Sequence, residues 1–445
     1  MRVTDMTHGR PIRLILLFSL PLMLGSVFQQ LYTIVDTIII GRGVGMQALA
    51  SIGAADWINW LVLWGLQGFT QGFAILAAQE FGAGAYDRLR RVLAMIVKLS
   101  CWFGIAVTII SLLLVRPLLT LLHTDPAVFG GAQTYLYVQF GGSLIIIAYN
   151  MAAAVLRCLG DSKTPLFAII AASFANIALD LLFVMGFGWG IFGASFATVL
   201  AQLIAFLLCL RSLRRLPFVQ LTKADWKTDP AILLHLCRLG IPTGLQMSMI
   251  TLGGMVLQSV LNGFGVVFVA GYTAANKLYG ILESASVAFG YAMTAYMGQN
   301  RGARIDAGIR AVLALSAGFT AAIVTAMLLA GKPLLGLFLS TEEAGAADAL
   351  AVAHRYLMVL MAFLLALFVL QAYRSSLQGL GEMTVPTLSG FAEMLMRMGA
   401  ALVLPAFIGQ SGVFFAEGAA WVCAAALNLV WYYMRIGKIK REMMQ

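Results

Sequence analysis

The sequence predicts an all-α polytopic membrane protein in which twelve transmembrane helices form two pseudo-symmetric six-helix lobes. Three observations favour this fold: an apolar composition, twelve apolar segments of helix length, and an internal repeat. Of the 445 residues, 61% are hydrophobic and only 11% are charged. Because soluble domains carry about 25% charged residues, this composition is typical of a chain surrounded by lipid.

Each apolar segment is long enough to cross a bilayer as a helix. The predicted spans cover residues 14–40, 48–80, 92–115, 128–156, 165–187, 190–210, 233–261, 267–298, 311–330, 352–378, 386–408 and 412–434. The first is longer than a signal-peptide core and no small-residue cleavage site follows it, so we expect it to stay in the mature protein. An even number of spans predicts that both termini lie on the same side of the membrane.

The basic residues predict which side that is. One set of alternate connections and termini holds 21 of the 29 Lys and Arg residues, whereas the opposite set holds only Arg42, Arg116, Lys332 and Arg355. The positive-inside rule therefore places both termini in the cytoplasm. This segregation also explains the net charge of +10 without nucleic acid, which we do not expect as a partner.

An internal repeat relates the two halves at an offset of about 220 residues. Gln79–Ala83 aligns with Gln299–Ala303, and Leu156–Asp161 aligns with Leu377–Glu382. A shift of six spans preserves orientation, so the repeat is parallel. The Leu-x-x-Leu-Gly elements in the second pair predict tight turns between helices.

The repeat also predicts the domain boundaries. We expect an N-terminal lobe at 1–210 and a C-terminal lobe at 231–445. The hydrophilic segment between them, 211–230, is predicted to be a cytoplasmic linker.

Asp36 is the first candidate functional residue, because a carboxylate at membrane depth is costly and usually functional. Gln29, Tyr32 and Thr33 share its helix face and make a polar stripe that should face protein or water. The alternative is an ordinary wet aspartate at the end of the helix, near Gly41–Gly43.

A second polar face is predicted on helix 5, where Ser173, Asn176 and Asp180 are spaced by three and four residues. Asp36 is the nearest candidate partner for Asp180. Two carboxylates in a low-dielectric cavity cannot readily both be ionised, so the pair is suited to carry a proton. Carboxylate, amide and hydroxyl oxygens are equally suited to sodium, with Asp36 and Asp180 as the metal ligands. The alternative is a structural polar cluster that joins helices. Helix 6 has a similar face formed by Ser195, Thr198 and Gln202.

The C-terminal lobe offers a different candidate. Tyr279 and Glu283 share a helix face, and a glutamate beside aromatic side chains suits an amphipathic organic cation. The alternative is a salt bridge from Glu283 to Lys277 or Arg397. We interpret Glu393 and Arg397, four residues apart, as a self-neutralised pair.

Several function classes are disfavoured. The sequence has no Gly-x-x-x-x-Gly-Lys-Ser/Thr loop, so ATP is not expected as a direct energy source. No hydrolytic constellation is recognisable, and the five cysteines have no metal-ligand spacing. We therefore expect no enzyme and no cofactor.

These features resemble those of the multidrug and toxic compound extrusion (MATE) transporters along essentially the whole chain. The most specific pieces are Val35-Asp36-Thr37 and Asn176-Ile177-Ala178-Leu179-Asp180, which resemble the branch with an aspartate site in the N-terminal lobe. The resemblance implies a cation-coupling site of Asp36, Asn176, Asp180 and Thr198. It also implies that helix 1 bends at Pro21. Residues 247–253 and 363–371, where another branch places its acidic ligands, contain no carboxylate.

The resemblance implies proton- or sodium-coupled antiport of amphipathic, often cationic drugs. The expected substrate cavity includes Gln29, Tyr32, Thr33, Tyr279 and Glu283. The expected location is a bacterial cytoplasmic membrane, where a monomer works in the lipid bilayer on small organic molecules. The alternatives are a flippase for a lipid-linked substrate, a passive channel, or an exporter of an endogenous metabolite.

Overall fold

The computed structural model describes residues 5–300, 303–337 and 345–442, and the regular structure within these ranges is helical. Arg2 and Arg301 lie outside the described residues, as do the side chains of Lys438, Lys440 and Arg441. The thirteen described α-helices are α1 Pro11–Gly43, α2 Met46–Gly82, α3 Tyr86–Leu121, α4 Pro126–Gly141, α5 Ser143–Cys158, α6 Lys163–Asp180, α7 Gly190–Arg214, α8 Pro230–Asn262, α9 Val266–Gln299, α10 Ala303–Gly336, α11 Ala346–Gly379, α12 Thr384–Ile408 and α13 Phe415–Glu442.

These helices account for the twelve predicted spans, with one correction. The predicted fourth span, 128–156, is broken at Gly142 into α4 and α5, whose axes differ by 50°. Ten other helices are long and apolar enough to cross a membrane. With the bent pair of α4 and α5, these ten make eleven spans. The twelfth is α9, which has 34 residues but is not one of the ten. Most of these helices are much longer than the roughly 20 residues that cross a bilayer, so they extend beyond it.

Two short irregular helices interrupt the spans. A π-helical turn, Leu181–Gly186, continues α6 directly after Asp180. A 3₁₀ helix, Gln410–Phe414, precedes α13. π-Helical turns are frequently found at functional sites.

The chain divides into two compact units. One contains Pro21–Gly244, and the other contains Met6–Leu20 together with the described residues from Leu245 onward. The first ten residues of α1 thus belong with the later half of the chain, and the first turns of α8 belong with the earlier half. The units therefore separate within α1 and within α8, and both helices continue through the separation. The predicted lobe boundaries at 210 and 231 remain a sequence prediction.

The predicted turn elements of the repeat adopt the same geometry. Gly160 has φ +92° and Gly381 has φ +87°, a region open mainly to glycine. The amide nitrogens of Gly160 and Gly381 donate to Arg157 O and Gln378 O, at 3.0 and 2.9 Å. The next amide closes the turn at each site, from Asp161 to Leu156 O and from Glu382 to Leu377 O. The two elements therefore end their helices in the same way.

The segment between α7 and α8 is held against α3. Lys98 Nζ donates to the carbonyl of Trp226 at 2.6 Å and to Thr228 Oγ1 at 2.9 Å. Asp225 Oδ2 lies 3.8 Å from Arg90 Nε and accepts hydrogen bonds from both the backbone and the hydroxyl of Thr222. The linker is thus fixed by side chains from the first unit.

Candidate functional site in the N-terminal half

Apolar packing positions Asp36 next to the end of α6. Ile39 and Ile40, one turn beyond Asp36 on α1, pack with Val184 of the π-helical turn and Ala194 of α7. Asp36 and Asp180 consequently lie within interaction range of each other. Asp36 is half-buried, whereas Asp180 is 0% exposed.

Apart from the contact between the two carboxyl groups, several polar atoms of this cluster lack hydrogen-bond partners in the described part of the chain. Both carboxylate oxygens of Asp180, one oxygen of Asp36, and both polar side-chain atoms of Asn176 are buried without a hydrogen bond. No Lys or Arg of the described residues lies against either carboxylate. Buried polar groups are normally satisfied, so this cluster has unused capacity for a ligand.

The polar face predicted for the fifth span lies on α6, and all three of its side chains are buried. Ser173, Asn176 and Asp180 have exposed fractions of 7%, 1% and 0%. The hydroxyl of Ser173 donates to Ile169 O at 2.8 Å, whereas the side-chain oxygens of Asn176 and Asp180 make no hydrogen bond.

A cavity, partly open to its surroundings, adjoins this face; the unfilled space in and around it amounts to about 320 Å³. Its polar lining consists of Gln29, Tyr32, Ser173, Asn176, Thr198 and Gln202. Tyr32 lies within electrostatic range of both Asp36 and Asp180. Thr198 donates its hydroxyl to Ala194 O at 3.2 Å, which leaves the oxygen lone pairs available to a cation.

Thr33 is placed differently from the rest of its predicted stripe. Its side chain is exposed, donates to Gln29 O at 3.0 Å, and does not line the cavity. Thr33 lies one position beyond Tyr32, and this step rotates it around α1 by about 100°. α1 is described as one continuous helix through Pro21, so a bend there remains a prediction.

A third carboxylate, which was not among the predicted site residues, lies in the same region. Asp56 on α2 is half-buried and lies within electrostatic range of Asp36. Tyr135 of α4 lies near both, and its hydroxyl accepts a hydrogen bond from Asn59 Nδ2 at 3.2 Å. The signal was available, because Asp56 lies within the predicted span 48–80 just as Asp36 lies within 14–40.

Tyr279 and Glu283, the other candidate cavity residues, belong to the second unit and are described there separately. Tyr279 is 7% exposed and stacks on Trp421 with ring centroids 5.6 Å apart. Glu283 lies within range of Tyr279, Glu417 and Arg397. It forms no salt bridge with Lys277 or Arg397 within the described ranges, so the predicted alternative of a direct ion pair is wrong.

The predicted pair of Glu393 and Arg397 is formed, with 3.0 Å between Oε1 and Nη2. It is part of a larger buried network. Arg374 of α11 binds Glu393 at 2.5 Å, and Arg397 also binds Glu417 of α13 at 2.8 Å. Arg397 Nη1 donates to Ile250 O at 3.0 Å. The sequence did not indicate Glu417, which is distant in the chain and close only in the fold.

The arrangement around Asp36 and Asp180 is suited to a small cation. Two adjacent carboxylates without a basic partner attract a positive charge, and either can take up a proton. No three His, Cys, Asp or Glu side chains of the described residues form a metal cluster. A sodium ion would therefore need the oxygens of Asn176 and Thr198 in addition to the two carboxylates.

Comparisons with known proteins agree with this architecture. The MatE family matches the chain twice, at residues 21–182 and 242–403, which corresponds to the internal repeat. The probable multidrug resistance protein YpnP of Bacillus subtilis is 32% identical over 99% of this chain and 98% of its own length. The multidrug export protein MepA of Staphylococcus saprophyticus is 23% identical, covering 94% of this chain and 93% of MepA.

Solved structures share the fold. A transporter of the MOP superfamily from Pyrococcus furiosus superimposes with a TM-score of 0.90 and 24% identity over 99% of both chains. An outward-facing multidrug resistance MATE transporter gives the same TM-score, identity and coverage. The double family match and the full-length similarity to YpnP together show that this chain belongs to the multidrug and toxic compound extrusion family.

Proposed function

We propose that this protein is a secondary active efflux transporter that exchanges a proton or a sodium ion for amphipathic, often cationic drugs. The observation that carries the proposal is the cluster of unpartnered polar atoms on Asp36, Asn176 and Asp180. The names of the relatives, a multidrug resistance protein and a multidrug export protein, support the substrate class.

The coupling follows from electrostatics. With both carboxylates ionised, the cavity beside them is negative and favours an organic cation. A proton or sodium ion taken up by Asp36 and Asp180 cancels that charge, so the ion and the drug cannot both be bound favourably. Neutralisation also lets α1, α6 and the π-helical turn repack, which would release the drug.

We further propose that the transporter is a monomer in a bacterial cytoplasmic membrane, with both termini in the cytoplasm. The distribution of Lys and Arg supports this orientation. Gln29 and Tyr32 would contact the drug from the cavity wall. Tyr279 and Glu283 are candidate contacts in the other half of the chain.

The test is ethidium efflux from proteoliposomes that contain the purified protein, with a pH gradient or a sodium gradient imposed separately. We expect one gradient to drive uphill transport, and the effective gradient identifies the coupling ion. Asp36→Asn and Asp180→Asn should each reduce this transport at least tenfold, whereas Asp87→Asn, at an exposed carboxylate on α3, should leave it unchanged.

Two results would contradict the proposal. If normally folded Asp36→Asn and Asp180→Asn proteins transported ethidium at the wild-type rate, these two residues would not be the coupling site. Failure of both gradients to drive transport would favour a flippase or a channel, which translocation of a fluorescent lipid and ion conductance would then distinguish.

A further inference from the structure

A groove lies between α6 and α7 at the end where α6 begins and α7 finishes. It contains about 570 Å³ of unfilled space. α6 contributes Thr164 and Phe167 to its wall, and α7 contributes Leu208, Arg211 and Ser212. Arg215, directly after α7, completes the wall. The groove is separate from the cavity beside Asp180, whose lining shares none of these residues.

The lining changes from polar to apolar along the helices. At the helix ends lie the guanidinium groups of Arg211, in the last turn of α7, and Arg215, which caps this helix. Beside them are the hydroxyls of Thr164 and Ser212, whose Oγ atoms are 3.2 Å apart. One turn further into the span, the wall is formed by Phe167 and Leu208, which are 62% and 38% exposed.

The two arginines carry uncompensated charge. Neither Arg211 nor Arg215 has an acidic partner within salt-bridge distance among the described residues. Asp161, at the same end of α6, is already engaged: it accepts hydrogen bonds from the backbone of Lys163 and Thr164 and from the Thr164 hydroxyl. A groove with two free guanidinium groups is suited to a phosphate, which guanidinium binds with two parallel hydrogen bonds.

We infer that this groove binds one anionic phospholipid. Its phosphate would lie between Arg211 and Arg215, and an acyl chain would follow Phe167 and Leu208. Basic pockets between membrane helices recognise anionic headgroups in this way. The apolar end of the groove favours a lipid over a free phosphate ion, and the two positive charges favour an anionic lipid over a zwitterionic one. The inference is independent of the proposed transport activity.

The experiment measures lipid binding to delipidated protein in detergent by native mass spectrometry. Dioleoylphosphatidylglycerol is compared with dioleoylphosphatidylcholine, and glycerol 3-phosphate serves as a soluble phosphate without acyl chains. We expect the wild type to retain one phosphatidylglycerol with at least tenfold preference over phosphatidylcholine, and glycerol 3-phosphate to compete poorly.

The double variant Arg211→Gln/Arg215→Gln should lose this preference. Arg214→Gln is the matched control, because Arg214 is exposed on the same helix turn but does not line the groove. Phe167→Ser keeps the charges of Arg211 and Arg215. It should weaken lipid binding several-fold and leave competition by glycerol 3-phosphate unchanged. Thermal melts of each variant verify folding.

Equal phosphatidylglycerol retention by the double variant and the wild type would overturn the inference. So would an equal loss in the Arg214→Gln protein, since the effect would then reflect net charge at the membrane surface. Glycerol 3-phosphate binding as tight as that of the lipid would likewise overturn it in favour of a simple anion site.

Discussion

Arg397 on α12 forms a buried salt bridge with Glu417 on α13, with 2.8 Å between Nη2 and Oε2. The same guanidinium binds Glu393 and the carbonyl of Ile250, so it joins α12 and α13 to α8 within the second unit. Glu393 has a second salt bridge, to Arg374, whereas Glu417 has Arg397 as its salt-bridge partner among the described residues.

Arg397→Met should therefore destabilise the protein strongly. Removing one partner of a buried charge pair typically costs about 3–5 kcal/mol, because the remaining charges lose their partner. Thermal unfolding in detergent is the measurement. Lys277→Met is the control, since Lys277 is exposed on α9, and it should lower the melting temperature much less. Equal melting temperatures for the two variants would contradict this role of Arg397.

Glu283→Gln, in contrast to Arg397→Met, should not lower the melting temperature. Glu283 lies within range of Glu417 and Glu393 but forms no salt bridge with Arg397 in the described structure. Removing its charge relieves a like-charge interaction, so we expect an unchanged or higher melting temperature. Glu417→Gln, which removes a salt bridge, should lower it. A loss of stability in the Glu283→Gln protein as large as that of Glu417→Gln would show that Glu283 supports the network.

Asp56→Asn should weaken the binding of an organic cation. Asp56 adds a negative charge near Asp36, and Trp60, one turn further along α2, is 44% exposed and available for a cation–π contact. We expect about a tenfold increase in the dissociation constant for tetraphenylphosphonium, equivalent to about 1.4 kcal/mol. Equilibrium dialysis without a gradient measures this apart from coupling. Asp87→Asn should bind as the wild type does.

The linker should be sensitive to the charge of Asp225. Although burial opposes ionisation, the hydrogen bonds from Thr222 and the positive charges of Arg90 and Arg91 lower the pKa of this carboxyl below its ordinary value. A lowered pKa in the folded state means that the ionised form stabilises the linker at neutral pH. This contribution is lost only as the pH falls below the ordinary carboxyl range.

Hydrogen exchange of the linker should therefore stay constant between pH 8 and pH 5, after correction for intrinsic rates, and increase below about pH 4. Asp225→Asn should increase trypsin cleavage at Lys223 and Lys227 about fivefold at pH 7.5, because losing a cap of this kind costs about 1 kcal/mol. Asp229→Asn provides the comparison, since Asp229 caps the start of α8 outside this contact. Unchanged cleavage in the Asp225→Asn protein would contradict the role of the carboxylate.

Features that depend on residues close in the chain were predictable from the sequence. Apolar runs predicted the spans, because a bilayer requires long apolar helices. The repeated Leu-x-x-Leu-Gly element predicted two equivalent turns, and Gly160 and Gly381 adopt the same positive φ. Asp36 and Asp180 were found because a carboxylate within an apolar helix is rare.

Only the tertiary structure decided which of these residues meet. It placed Asp56 beside Asp36, gave Arg397 a second partner in Glu417, and separated Thr33 from the cavity that Tyr32 lines. It also broke the fourth span at Gly142. The physical reason is that composition and spacing fix a helix and its polar face, whereas the neighbours of that face depend on how distant helices pack. A single sequence carries no direct record of this packing.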